Sequence, residues 1–188
     1  MARYLVSGTA QLVTDVAAAL REHGADVVEV DDIADVPSAC AEAGSGGFDG
    51  YVQLPASFDV QGETAVDRVH HFFADGVLAR FPAVRSVLPV LTGDPRITFV
   101  MGVLPPEVST DDDVAARSAL VRVLARAARA DRPEGLRISM MPSGSSAEEI
   151  ALTALGRSPE REALAAGPSN GSYADWRVEV LGMMRAEM

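Results

Sequence analysis

Few side chains in this sequence are typical of catalysis or metal binding, and most of them stand beside predicted helices or strands. Three consecutive acids, Asp111 to Asp113, come just before or within the start of the longest predicted helix. Acids at this place cap a helix and interact favourably with its dipole, and three in a row point in different directions. His70 and His71 are adjacent, with no acid or cysteine at the spacing of a metal-ligand set. The sequence therefore predicts no metal site.

The basic residues of the chain exclude two kinds of chemistry. All 16 of them are arginines. A P-loop needs a lysine on the phosphates, and a Schiff base needs a lysine amine, so neither can form. No Gly-x-Ser-x-Gly elbow of a hydrolase is present, and residues 143–146 are predicted to form a turn and a helix cap. Cys40 lies in an alanine-rich stretch and is predicted to be a small core residue.

Length and composition predict one globular domain that spans residues 1–188. The chain is 48% hydrophobic, which is enough for a core. A formal net charge of −11 argues against nucleic acid and anionic membranes as partners. No apolar run reaches the roughly 18 residues of a membrane helix, and the first residues are expected to form a strand rather than a signal peptide. A single cysteine fits a reducing cytoplasm, which is the predicted location.

Hydrophobic periodicity predicts strands and helices that alternate along the chain. Pro82 is expected to kink or divide a long helical stretch, and Ser146 with Glu149 has the spacing of a capping box. The predicted strands are residues 3–7, 25–30, 50–54, 96–103, 136–141 and a last one at about 176–180, where Trp176, Val180 and Met184 would also suit a short helix. The predicted helices are residues 11–23, 36–43, 61–91, 113–130 and 147–155. This order predicts an α/β fold, a Rossmann-like three-layer αβα sandwich with a mostly parallel, twisted sheet.

The order and spacing of these elements resemble the short-chain dehydrogenase/reductase family over most of the chain. Leu5-Val-Ser-Gly-Thr, a helix and then His23-Gly-Ala-Asp-Val-Val are similar to the opening βαβ unit of that family. Gly135-Leu-Arg-Ile-Ser-Met-Met-Pro-Ser-Gly144 is similar to its Gly-Ile-Arg-Val-Asn strand and exit. Ser86-Val-Leu-Pro89 resembles the end of its central helix, and residues 172–182 resemble its last strand. The chain is shorter, because residues 31–49 leave no room for one usual strand and helix, and the substrate-covering insertion after residue 144 is missing.

The resemblance implies a dinucleotide site, and the sequence keeps little of it. Of the three glycines in the family's phosphate loop only Gly8 remains, and the other two positions fall near Gln11 and Val13. Side chains there are expected to take space that the pyrophosphate needs. Asp31 stands where a carboxylate would accept the ribose hydroxyls of NAD. Gly8, Gln11 and Asp31 are therefore the candidate cofactor residues, but no cofactor is expected, and any NAD(P) binding should be weak.

The family's catalytic positions are also changed. Counted back from Gly135, its tyrosine and lysine correspond to Asp113 and Arg117, which cannot act in the same way because both stay charged at neutral pH. Its serine falls at residues 100–102, where no hydroxyl exists, and its helix asparagine corresponds to Gly76. Its Asn-Asn-Ala-Gly becomes Gln53-Leu-Pro-Ala. No catalytic residue is predicted.

These observations favour a catalytically inactive relative, a pseudoenzyme that acts in binding, assembly or regulation. The resemblance implies a homo-oligomer, since the family pairs through helices that correspond to residues 72–91 and 113–130 and through the last strand. The candidate interface residues, which could equally serve the core, are Val121, Leu124, Trp176, Val178 and Val180. One alternative is an NAD(P)-binding oxidoreductase with a remodelled site. Another is a sensor whose small ligand binds between Gly8, Gln53 and Gly102, which requires an open cleft lined by Gln11, Gln53 and Asp113.

Overall fold

The computed structural model of the chain describes residues 1–8, 10–55, 61–71, 74, 78–101, 111–131, 135–142 and 144–157. Within these ranges strands and helices alternate, as the periodicity predicts. The strands are β1 (Arg3–Ser7), β2 (Asp26–Val30), β3 (Phe48–Gln53), β4 (Leu91–Val100) and β5 (Arg137–Met141), and the helices are α1 (Ala10–Glu22), α2 (Val36–Ala43), α3 (Ala65–His71), α4 (Arg80–Val87), α5 (Asp111–Asp131) and α6 (Ala147–Ala154).

The five strands form one sheet in the order β2-β1-β3-β4-β5, and every neighbouring pair is parallel. The predicted α/β fold is therefore confirmed. The chain runs outward from β1 to β2 and then returns across β1 to β3, so the strand order reverses between β1 and β3. In open sheets of this kind ligands bind outside the carboxyl ends of the strands at such a switch point.

Helices cover both faces of the sheet and make a separate core on each. On one face α1 and α6 bury Val13, Val16 and Ile150 against Val6 and Val52. On the other face α2, α4 and α5 pack on the sheet, and their buried residues lie against the large strand side chains. The buried residues of this core include Val36, Cys40, Val84, Val87, Val121, Leu124, Tyr51, Ile97 and Phe99. The buried positions of each helix recur at helical spacing because a single stripe of the helix faces the sheet.

Local sequence signals account for two of the helix ends. Gly24, the second residue after α1, has φ +85°, the conformation that favours glycine beyond a helix. Ser146 and Glu149 form the predicted capping box of α6: the Ser146 hydroxyl accepts from the Glu149 amide at 3.2 Å, and Glu149 Oε2 accepts from the Ser146 amide at 2.9 Å.

Two predicted elements have different bounds in the structure. The described part of the helical stretch predicted for residues 61–91 contains α3 and α4, and residues 72, 73 and 75–77 between them lie outside the described residues. Pro82 stands in the first turn of α4, where its missing N–H costs no helical hydrogen bond. β4 begins at Leu91, five residues before the predicted start, because Leu91 pairs with Phe48 ahead of a register shift. The predicted last strand, with Trp176, Val178 and Val180, lies outside the described residues. None of the helices in the described ranges is long and apolar enough to cross a membrane.

Candidate functional site at the carboxyl edge of the sheet

The predicted cofactor residues Gly8, Gln11 and Asp31 lie at the carboxyl edge of the sheet. The Gly8 N–H donates to the Val30 carbonyl at 3.2 Å, so the turn after β1 lies beside the end of β2, which Asp31 follows directly. Asp31 is exposed. Gln11 is exposed in the first turn of α1, and its Nε2 donates to Asp15 Oδ1 at 2.9 Å. Gly8 and Asp31 thus lie on neighbouring strand ends, and Gln11 lies in the helix that follows Gly8. The role of the three residues in binding stays a prediction.

Gly8 is held tightly by the segment that follows β3. Its φ is +149°, and a Cβ on Gly8 would lie 2.6 Å from the Cβ of Leu54 and 3.1 Å from the Pro55 carbonyl oxygen. The Leu54 N–H donates to the Ser7 carbonyl at 2.7 Å, and Leu54 is completely buried. Packing between the ends of β1 and β3 therefore requires glycine at this position, whether or not a dinucleotide binds.

Val13 does not face the phosphate loop, as the sequence had suggested, but the core. It was expected, like Gln11, to intrude on the pyrophosphate, but it is completely buried among apolar side chains between α1 and the sheet. This expectation is wrong because Val13, the fourth residue of α1, faces the core. The described part of the phosphate loop offers one glycine and an exposed glutamine rather than a three-glycine cradle. Contact of Asp31 with a ribose stays a prediction.

A buried polar cluster lies just below this edge, on the face that α4 covers. Ser7 Oγ and the Tyr51 hydroxyl are 2.8 Å apart, and Gln53 Nε2 donates to the Tyr51 hydroxyl at 3.1 Å. Gln53 Nε2 also lies 3.4 Å from the Arg80 carbonyl oxygen, which accepts from it. Arg80, the first residue of α4, is itself buried. We refer to Ser7, Tyr51, Gln53 and Arg80 as the Tyr51 cluster.

Burial of the Tyr51 phenol disfavours its ionisation. Burial raises the pKa of Tyr51 to about 12, although its hydrogen bonds with Ser7 and Gln53 and the nearby Arg80 charge act in the opposite direction. Gln53 Oε1 is buried and has no hydrogen-bond partner among the described residues. A phenol with so high a pKa is a hydrogen-bonding group and not a base at neutral pH.

Sequence reasoning missed this cluster, although the pattern contained a signal for it. Tyr51 and Gln53 are two residues apart on one strand, so they share a face, and Ser7 pairs in register with Gln53. Gln53 is completely buried. It therefore does not line the open cleft that the sensor hypothesis requires.

The positions that correspond to the family's catalytic residues are only partly described. Val100 ends β4 and is buried on the α1 and α6 face, and Met101 follows it, so neither offers a hydroxyl. Asp113 and Arg117 lie one turn apart near the beginning of α5, and their correspondence to the family's tyrosine and lysine stays a prediction. Gly76 and Gly102 lie outside the described residues.

His23 and His71 make hydrogen bonds at different places in the fold. Nε2 of His23 and Oε1 of Glu148 are 2.9 Å apart, which joins the end of α1 to the first turn of α6. His71 Nδ1 accepts from the Gln61 amide at 2.9 Å. Where the structure describes the chain, no three His, Cys, Asp or Glu side chains stand close enough together to hold a metal ion.

A groove of about 640 Å³ separates α4 from α5 on the outer surface. Its lining is mostly apolar, with Arg85 and Asp131 as the charged members; the other lining residues are Phe81, Pro82, Val84, Ser86, Leu88, Leu124, Ala127 and Ala128. Val121 and Leu124, which the sequence offered as interface residues, are buried against the sheet. Their apolar character is therefore explained by the core, and Leu124 contributes only the floor of this groove.

The fold of the chain is similar to that of solved structures. No protein-family model and no curated protein sequence matches the chain. Solved structures do match: a small-chain dehydrogenase at 21% identity and a TM-score of 0.62, over 83% of this chain and 89% of that one. A carbonyl reductase from Pseudomonas aeruginosa PAO1 in complex with NADP matches at 15% identity and a TM-score of 0.61, over 83% and 90%. BdcA in complex with NADPH matches at 18% identity and a TM-score of 0.56, over 87% and 89%.

These likenesses define the class of fold. The chain has the Rossmann-like α/β fold of the short-chain dehydrogenases/reductases, and the resemblance that the sequence predicts is confirmed at that level. Sequence identities of 15% to 21% carry the architecture but not the activity of these structures.

Proposed function

We propose that this chain is a catalytically inactive protein with the short-chain dehydrogenase/reductase fold that acts in binding and assembly as a homo-oligomer. The observation that carries the proposal is that the residues at the switch point between β1 and β3 are occupied by packing and by hydrogen bonds inside the protein. Gly8 is packed on Leu54, and Ser7, Tyr51 and Gln53 hydrogen-bond to one another inside the core. Polar side chains near the switch point are thus used to hold β1, β3 and α4 together.

The changed catalytic positions support the same proposal. The places of the family's tyrosine and lysine hold Asp113 and Arg117. A carboxylate that is ionised at neutral pH cannot donate a proton as the phenol of a tyrosine does. A guanidinium that remains protonated cannot replace the tuned ammonium group of lysine.

Assembly is expected through the groove between α4 and α5, with a second copy of the chain as its occupant. Arg85 and Asp131 both line the groove. In a two-fold interface the same patch meets itself, so each arginine can face the aspartate of the other copy. Apolar floor residues such as Leu124 and Ala128 would then lose their remaining contact with water.

Ala127 provides a sharp test of this interface, because it is exposed and lines the groove. Ala127→Glu should lower the mass measured by sedimentation equilibrium to that of a monomer while the circular dichroism spectrum stays unchanged. Ala130→Glu is the matched control, since Ala130 is exposed on the same helix and is not part of the lining. A wild-type monomer, or equal effects of the two variants, would contradict assembly through the groove.

The alternative function is an NAD(P)-dependent oxidoreductase with a remodelled site. It is favoured by one observation: exposed Asp31 stands beside Gly8 at the beginning of α1, where a helix N-terminus can bind phosphate. Calorimetric titration with NAD⁺, NADH, NADP⁺ and NADPH separates the two functions. Absence of heat at millimolar nucleotide supports the inactive protein. Micromolar binding that Asp31→Ala weakens would overturn it in favour of the oxidoreductase.

The sensor hypothesis receives less support. It requires Gln53 to face a ligand, whereas Gln53 is completely buried and its amide N–H groups are directed to Tyr51 and Arg80.

A further inference from the structure

β2 is an outer strand of the sheet, and some of its backbone groups face away from it. The Asp26 N–H donates to the Ala2 carbonyl at 2.9 Å, and the Val30 carbonyl accepts from Gly8 at 3.2 Å. Alternate residues of a parallel strand turn their N–H and C=O groups to the same side. Asp26, Val28 and Val30 therefore face β1, and the backbone groups of Val27 and Glu29 face outward. Among the described strands none pairs with this outer edge.

One side chain lies across that edge. Arg21, in the last turn of α1, donates from Nη2 to the outward Val27 carbonyl at 3.0 Å. Its Nη1 lies 2.6 Å from Glu29 Oε1, so the guanidinium is held at two points along the strand. The Arg21 side chain is 47% exposed and that of Glu29 is 29% exposed. The pair thus forms a solvent-facing cover over residues 27–29.

We propose that the pair of Arg21 and Glu29 closes the outer edge of β2 against pairing with β2 of a second copy. An uncovered edge strand presents unpaired N–H and C=O groups that another strand can bind. A second strand would need the Val27 carbonyl as an acceptor and the Glu29 N–H as a donor. Arg21 occupies the first, and its ion pair places a charged side chain beside the second.

Two double variants with the same net charge test this role. Arg21→Ala with Glu29→Val removes both halves of the pair and leaves the outward N–H of residue 29. Arg21→Ala with Glu29→Pro removes the same pair and also that N–H. Because this N–H does not bond to β1, proline costs no hydrogen bond inside the sheet.

The readouts are sedimentation velocity over a concentration series and hydrogen exchange at the Val27 amide. We expect the valine double variant to double the wild-type mass as concentration rises, with slower exchange at Val27, and the proline double variant to keep the wild-type mass. A valine variant that keeps the wild-type mass would overturn the proposal. So would association of both variants, since it would arise from unfolding and not from strand pairing. If the wild type is a dimer through the groove, each dimer carries two β2 edges, and the valine variant should reach at least twice the wild-type mass. The proline variant keeps the groove, so the comparison of the two variants distinguishes strand pairing from assembly through the groove.

Discussion

Gly8 and Leu54 are in closer contact than any side chain on residue 8 would allow, since a Cβ there would stand 2.6 Å from the Leu54 Cβ. The two residues directly follow β1 and β3, the strands between which the order of the sheet reverses. A glycine directly after the first strand is typical of the sequence motif that binds a dinucleotide phosphate. In this chain the contact with Leu54 requires a glycine at the same position even without a ligand.

Gly8→Ala should therefore destabilise the protein even without any ligand. The positive φ and the contact with the Leu54 backbone together predict a loss of about 2–4 kcal/mol in the free energy of unfolding. Gly24→Ala is the control, because Gly24 also has positive φ but no heavy atom within 4 Å of a built Cβ, and a loss of about 1–2 kcal/mol is expected. Urea unfolding measures both. Equal losses would show that backbone strain alone acts at Gly8.

The hydroxyl of Tyr51 should be coupled energetically to that of Ser7, which lies 2.8 Å away. Tyr51→Phe leaves Ser7 Oγ without this partner inside the core, at a cost of about 1–3 kcal/mol. Ser7→Ala removes the other half of the contact. In the double variant the summed losses should exceed the measured one by about 0.5–3 kcal/mol, because the contact is lost only once. Additive losses in urea unfolding would contradict the coupling.

Alkaline pH should unfold the protein partly through Tyr51. Burial raises its pKa to about 12 in the folded state, whereas tyrosine in the unfolded chain has a pKa of about 10. Because the folded state holds the proton more strongly, its contribution to stability is complete below pH ~10 and is lost as the pH rises towards 12. Tyr51→Phe should make the fall in the free energy of unfolding between pH 9 and pH 11 less steep than in the wild type. An unchanged slope would show that Tyr51 is not the group involved.

Local signals in the sequence predicted the fold well. The glycine after α1 and the Ser146 and Glu149 capping box act over a few residues, so the sequence alone reveals them. The Tyr51 cluster could not be read in this way, since Ser7 and Tyr51 are 44 positions apart and meet only through strand pairing. The beginning of β4 was missed for the same reason. Leu91 belongs to that strand because it pairs with Phe48, and Gly93 and Pro95 disguise it locally.

The candidate site was predicted in part. The resemblance placed Gly8 and Asp31 at the same edge, and the structure puts them there because β1 and β2 are parallel neighbours. Val13 was misjudged because a glycine position in an aligned loop says nothing about which way a replacement side chain points. Its neighbours in α1 make it a core residue. Gln53 was judged from its place in a motif, whereas its face of β3 decides its role.

Cys40 should behave as a core residue in solution, as its alanine-rich surroundings indicate. It is buried in α2, and burial raises the pKa of its thiol to about 11. At pH 8 only about one thiol in a thousand would then be ionised, and thiolate is the form that reacts. Reaction with a chromogenic disulfide reagent should be very slow in the native protein and fast in urea. Cys40→Ala should keep the fold with a loss of about 1 kcal/mol, because one sulfur atom leaves a small cavity. Rapid labelling of the native protein would contradict this prediction. It would show that α2 opens readily from the sheet, and the backbone amides of α2 should then also exchange fast.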